Sequence, residues 1–312
     1  MTRRVLRSEE GFTLVEVMIA VVIGTIVLIA ATGLALVTGR SLVGTRLRDG
    51  VTRNARYVAL SLQRDLEEAG VGVESQTNFG TVGVWNDTLI ILRVPYAPNE
   101  AAVYNLVPPP PPPISPLPPG GTCGATCLDL ANPGGFELAV GDIARLQVNA
   151  ERRLLYVSAV NPATPTAQIT FVDLPTLLHR NGALSGGLLL TRSGTFVQEL
   201  SMVAYWRDAQ DNLLRAERVS NTGALQGVII ATGVQQWDVS LVFTNGVEAV
   251  QADGLDADPD NDYDDIGSVH VRARVRAENA DPRVNGGALI TRDYDWWFTP
   301  RNLIYERNRL AP

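Results

Sequence analysis

Glu16 is an acid inside residues 11–37, GFTLVEVMIAVVIGTIVLIAATGLALV, a run with no other charge. A carboxylate in a membrane span costs roughly 2 to 4 kcal/mol on insertion scales, so a chain that keeps one there puts it to use, usually by meeting a cation. Cys123 and Cys127 flank Gly-Ala-Thr. In an exported domain that pair is most simply a disulfide closing a small loop, since the spacing is not C-x-x-C and no His is adjacent. Seven aspartates lie between Asp253 and Asp265. Asp256, Asp258, Asp260 and Asp262 alternate like the first oxygen ligands of a calcium loop, although Asn261 and Gly267 stand where an EF-hand needs Gly and Glu. A solvated acidic loop is the other reading. Val269, Val271, Ala273 and Val275 alternate with His270, Arg272, Arg274 and Arg276. Such a cationic ladder suits phosphate contacts to nucleic acid or pairing with neighbouring acids, and it lacks the interleaved aromatics of a base-stacking platform.

The composition removes other chemistries. All 26 basic residues are Arg, so no P-loop lysine, Schiff-base lysine or Ser-Lys dyad exists. The two His residues, His179 and His270, and two Cys are too few for an ordinary zinc site. No G-x-S-x-G elbow accompanies either His. No catalytic residue is assigned and no enzyme is expected. A formal net charge of -7 makes nucleic acid an unfavourable default partner.

These residues need elements to hold them. The run at 12–37 is long enough for one membrane helix of about 20 residues and about twice as long as a secretory signal core. The helical pattern continues beyond it, with Leu47, Val51, Ala55, Val58, Leu62, Leu66 and Ala69 forming one apolar stripe. A single helix from Phe12 to Ala69 is expected, its first half in lipid or a filament core and its second half packed on a globular domain. Gly24, Gly33, Gly39, Gly44 and Gly50 along it suit close helix packing or local unwinding. After Gly70 the period falls to two. Strands are expected at 89–94, 144–148, 154–160, 168–172, 196–206, 213–219, 237–243 and 269–275, with a turn at 208–211. The fold class is α+β: a long N-terminal α-helix packed on a mostly antiparallel β-sheet domain. Residues 108–119, PPPPPPISPLPP, should form an exposed polyproline II loop, either a stiff spacer or a docking ligand.

Ahead of the apolar run lies a leader, Met1 to Gly11, carrying Arg3, Arg4 and Arg7. Together with Gly11, Phe12, Thr13, Leu14 and Glu16 it resembles the type III signal of type IV prepilins. The resemblance implies that a prepilin peptidase cuts between Gly11 and Phe12, methylates Phe12 and leaves the apolar helix on the mature chain. It divides the chain into a leader at 1–11, a long pilin helix at 12–70 with its transmembrane half at 12–37, and an exported β-rich domain at 71–312. The Arg-rich helix ending LQRDLEEAG, the large β domain and the Asp-rich loop resemble minor pilins of the PilW type. That likeness implies a filament subunit whose Glu16 neutralises the positive N-terminus of an adjacent pilin, with the inner-membrane assembly platform as a further partner. The chain would sit in the inner membrane with its N-terminus cytoplasmic and enter an extracytoplasmic pilus. A minor pseudopilin of a type II secretion system is the alternative; a membrane-anchored enzyme or ligand-binding module is a remote one. Calcium is the one cofactor for which the sequence has candidate ligands.

Overall fold

The computed structural model describes residues 13–77, 79–95, 103–107, 123, 126–132, 134–148, 151–173, 195–220, 224–253, 260–282 and 284–310. They form helix α1 (Leu14–Glu67), then β1 (Val82–Trp85), β2 (Thr88–Arg93), β3 (Tyr104–Asn105), β4 (Cys127–Ala131), β5 (Ile143–Val148), β6 (Glu151–Asn161) and β7 (Thr166–Asp173). There follow β8 (Thr195–Arg207), β9 (Leu213–Val219), β10 (Leu225–Ala231), β11 (Val234–Phe243), β12 (Glu248–Ala249), β13 (Ile266–Arg276), β14 (Thr291–Phe298) and α2 (Arg301–Leu310). The expected α+β class is observed.

Two compact units divide the chain. The first comprises Met1–Gly50 and Asn279–Ile290, and the second Val51–Glu278 and Thr291–Pro312. In the first, α1 from Leu14 to Val37 is a bare apolar rod whose large residues range from 51% exposed at Val17 to 80% at Leu14. Its hydroxyls turn inward: Thr25 donates to the Val21 carbonyl, and Thr32 Oγ1 donates to the Leu28 carbonyl at 2.7 Å. That leaves no unmet donor on a surface suited to hydrocarbon. Side chains added at Gly24, Gly33 or Gly39 would meet nothing in this chain, whereas one at Gly44 would lie 3.6 Å from Val284. Helix α1 runs through all five glycines without unwinding.

In the second unit the α1 stripe is buried. Val51, Ala55, Val58, Leu62 and Leu66 are at most 2% exposed. Each buried Leu of this kind stabilises by roughly 1.5 to 3 kcal/mol. The helix stops at Glu67, two residues short of the expected Ala69. Gly70 takes φ +77°, a conformation costly for other residues, and an added Cβ would also lie 3.2 Å from Thr81 Oγ1. Asn302 of α2 then donates its Nδ2 to the carbonyls of Glu67 at 3.2 Å and Ala69 at 3.0 Å, satisfying carbonyls that the end of α1 leaves open.

Among the described residues the strands form two sheets where one was expected, and every pairing is antiparallel. The larger follows β1-β2-β8-β5-β6-β7-β4, with β9 and β3 also on β8 and β10 beyond β9. The smaller follows β12-β11-β13-β14. The thirteen-residue β8 organises the larger sheet by pairing with β5 through Thr195–Leu200 and with β2 through Ser201–Tyr205. One face of β4–β8 carries a closed apolar cluster that includes Leu128, Leu130, Leu146, Leu155, Ile169 and Phe171. The opposite face of β5, β6 and β8 mixes buried Ile143, Leu154 and Leu200 with Arg145, Gln147 and Arg152, and it carries the cavity described below.

Candidate functional site

Thr13 and Glu16 form a reciprocal cap at the start of α1. Glu16 N–H donates to Thr13 Oγ1 at 3.3 Å, and Thr13 N–H and Oγ1 donate to Glu16 Oε2 at 2.9 and 3.0 Å. This is a capping box, in which a threonine and a glutamate three residues on satisfy each other's backbone donors. The acid in the apolar run therefore also closes its own helix. Sequence reasoning missed this role, although Thr-x-x-Glu is its signal. Gly11 and Phe12 lie outside the described residues. Among the described residues, α1 is the one helix long and apolar enough to cross a membrane.

Cys123 and Cys127 are joined in a disulfide with Cα atoms 5.4 Å apart. Cys127 opens β4, which pairs with β7. A ring this small contributes at most about 2 to 3 kcal/mol, so the bridge fixes local shape beside residues 108–119, which are not among those described. Alkylation of envelope protein under non-reducing conditions should label neither cysteine; a labelled thiol would show that the bridge does not form in the cell.

The acidic loop is described only in part. Asp256 and Asp258 lie outside the described residues, Asp260 is exposed and Asp262 is buried at 2%. Asp253 N–H donates to the Asn261 carbonyl at 3.1 Å, and Tyr263 N–H to that of Thr77 at 3.3 Å. Among the described residues no group of three or more His, Cys, Asp or Glu could hold a metal ion.

Among the described residues the cationic ladder of β13 faces acids from other elements. Arg272 pairs with Glu248 at 2.9 Å, Arg274 with Asp293 at 2.6 Å and Arg276 with Asp211 at 3.4 Å. His270 is 6% exposed and stacks on Trp297 at 3.9 Å, with its ring nitrogens 3.0 Å from Glu248 and 2.6 Å from Asp295. A hydrogen bond from Ser240, then contacts with His270 and Arg272, hold the Glu248 carboxyl below the usual carboxylate range. Arg274 does the same for Asp293. A ladder met by acids at each rung no longer carries a phosphate-binding reading. His179 lies outside the described residues.

Two polar clusters escaped the sequence reading. Asp65, on the last turns of α1, is 2% exposed and accepts from the Tyr205 hydroxyl and from Arg215 Nε at 2.7 Å and Nη2 at 3.1 Å. Tyr205 and Arg215 face each other across β8 and β9, so their register sets both at one acid. Burial, then the bond to Asp65, raises the Tyr205 hydroxyl far above its ordinary range, and the same acid raises the Arg215 guanidinium. The second cluster is Arg145 and Arg152 on β5 and β6, 6% and 4% exposed.

Comparison with known proteins bears on the first helix alone. Residues 6–32 match the family model described as the prokaryotic N-terminal methylation motif, which spans Gly11, Phe12 and Glu16. The match supports a type IV pilin-like or pseudopilin-like protein, with other pilins and a prepilin peptidase as partners, and it fits a membrane anchor at α1. No curated protein and no solved structure matches the chain significantly.

Proposed function

We propose that this chain is a minor pilin of a type IV pilus, of the PilW type, cleaved after Gly11, methylated on Phe12 and assembled into the filament or priming its growth. The observation that carries the reading is the fully exposed apolar first half of α1, with Glu16 at its start, inside the methylation motif. Monomeric soluble proteins rarely expose more than a few hundred Å² of contiguous apolar surface, so this half of the helix belongs in lipid before assembly and among neighbouring helices after it. The β domain would then be displayed outside the membrane. The inner-membrane assembly platform would extract the helix, and Glu16 would meet the N-terminal amine of the next subunit in a dry core where that pair is strong. PilW-type identity rests on the long Arg-rich amphipathic helix that ends in LQRDLEEAG at 62–70, the large β domain and the acidic loop.

Mass spectrometry of protein from cells with active peptidase should give an N-terminal Phe12 carrying one extra methyl group. A retained leader would overturn the proposal. Deleting the gene and scoring pili and protein secretion separately then distinguishes a pilus subunit from a pseudopilin: loss of pili with intact secretion is the expected outcome.

A further inference from the structure

The face of the larger sheet opposite the apolar cluster holds a cavity of about 520 Å³ lined by Arg145, Gln147, Arg152, Phe196, Glu74 and Tyr305, among others. Strand register builds it. Gln147 lies opposite Arg152 on one side and Phe196 on the other, and Arg145 lies opposite Gln198. These five side chains therefore share one face, while Ala144, Leu146 and Val148 point into the apolar cluster behind.

From this geometry we propose that the cavity is a binding site for a small oxyanion-bearing ligand, a phosphate monoester or an organic acid, held by the guanidinium groups of Arg145 and Arg152. Two guanidiniums that are more than nine-tenths buried are an unusual outlay for a surface domain, because burying a charge is costly unless it is paired. Glu74 is the one acid among the described lining residues; it stands half-exposed, its carboxylate 4.0 Å from Arg152 Nη2, and its backbone carbonyl accepts from Arg152 Nη1. Arg145 has no ion pair among the described residues; its guanidinium donates to the neutral Gln198.

Arg145 donates to Gln198, lies 5.4 Å from the Phe196 ring centre, and has a buried Nε with no hydrogen-bond partner. Burial first, then repulsion from Arg152, lowers the Arg145 guanidinium to about 10, with Glu74 opposing both. An anion between the two forks would relieve that repulsion with bidentate hydrogen bonds, which planar guanidinium groups make to carboxylates and phosphates. Phe196 and Tyr305 offer apolar surface to the body of the ligand. A bare ion would leave this surface unused.

The experiment uses the full chain in detergent micelles and does not depend on filament assembly, so it stands or falls apart from the function proposed above. Thermal melts are recorded with inorganic phosphate, with galacturonate and with neutral galactose, each at ionic strength matched with sodium chloride. At ten times Kd a site raises the melting temperature by about 3 to 6 °C. A rise with phosphate alone identifies a phosphate ligand, with galacturonate alone a carboxylate, and with both an oxyanion site of either kind. No rise over chloride with either anion overturns the proposal, as does an equal rise with galactose. Arg145→Gln should abolish the response. Should that buried change unfold the chain, Glu74→Gln at the cavity wall decides instead: removing its charge should tighten anion binding about ten-fold, and an unchanged Kd refutes the site.

Discussion

Asp65→Ala should be the most damaging single change to the β-bearing unit, costing about 3 to 5 kcal/mol and lowering the melting temperature by about 10 °C. Asp65 is the acceptor for a buried tyrosine hydroxyl and two guanidinium nitrogens, so its removal breaks three hydrogen bonds at once and leaves Arg215 only the Tyr205 hydroxyl at 3.1 Å and the exposed Glu217 at 2.6 Å. It also cuts the tie between α1 and the β8–β9 pair, which the apolar stripe alone does not orient. Asp65→Asn keeps an acceptor at the same place and should cost less. Removing Arg215 alongside Asp65 should cost less than the sum of the single changes, because neither charge is then left alone in the interior. Tryptophan fluorescence melts of the single and double variants measure all three. A loss below about 1 kcal/mol for Asp65→Ala would mean that the network is solvated enough to be incidental.

Asp65 also shows where reading the sequence stops. The α1 stripe was legible because Val51, Ala55, Val58, Leu62 and Leu66 recur at helical spacing, and all are buried. Asp65 lies beside that stripe and looks like one more surface acid. Its burial is decided by Tyr205 and Arg215, 140 and 150 residues away, and local periodicity carries no such information. The strands divide in the same way. Eight stood out by alternation, and the structure extends six of them by one to four residues. Strand β1 did not, since Val-Gly-Val-Trp is short and buried at its first three positions. Its signal was the turn: Asn86 and Asp87 take φ of 46° and 57°, the two-residue hairpin that joins β1 to β2. Strand β10 was hidden by Gly227, which reads as a breaker. Its missing side chain makes room for Trp206, since a Cβ there would lie 2.3 Å from that ring. Period-two patterning finds strands and does not say which ones pair, so the division into two sheets was out of reach.

The ladder on β13 teaches a related point about function. Its alternation was visible, and the inward positions Val269, Val271, Ala273 and Val275 are buried. The choice between phosphate contact and acid pairing turns on what the neighbouring strands present. Asp293 and Asp295 come from β14, in register with Arg274 and Arg272, and Glu248 comes from β12 on the far side of β11. A row of cations is a binding face only if its neighbours leave it uncompensated. By that criterion Arg145 is the better candidate, since it donates to Gln198 and lies beside the Phe196 ring and no acid is in register with it on β6 or β8.

Glu16 should prove decisive for assembly, and two substitutions separate its roles. Glu16→Ala removes both the charge and the capping box with Thr13, and the lost cap costs the helix start about 1 kcal/mol. Glu16→Gln removes the charge but keeps an oxygen that can accept from the Thr13 N–H. Both variants lose the cost of placing a carboxylate in the membrane, so both should stay membrane-bound. If the carboxylate neutralises a neighbouring N-terminus in a dry core, both should enter filaments about ten-fold less than the native chain, since an ion pair at close range there is worth more than the 1.4 kcal/mol that a ten-fold change represents. Immunoblots of sheared filaments against the membrane fraction give the ratio directly. Normal incorporation of Glu16→Gln with impaired Glu16→Ala would assign the residue to its own helix end, and the charge in the apolar run would then be needed only for its shape.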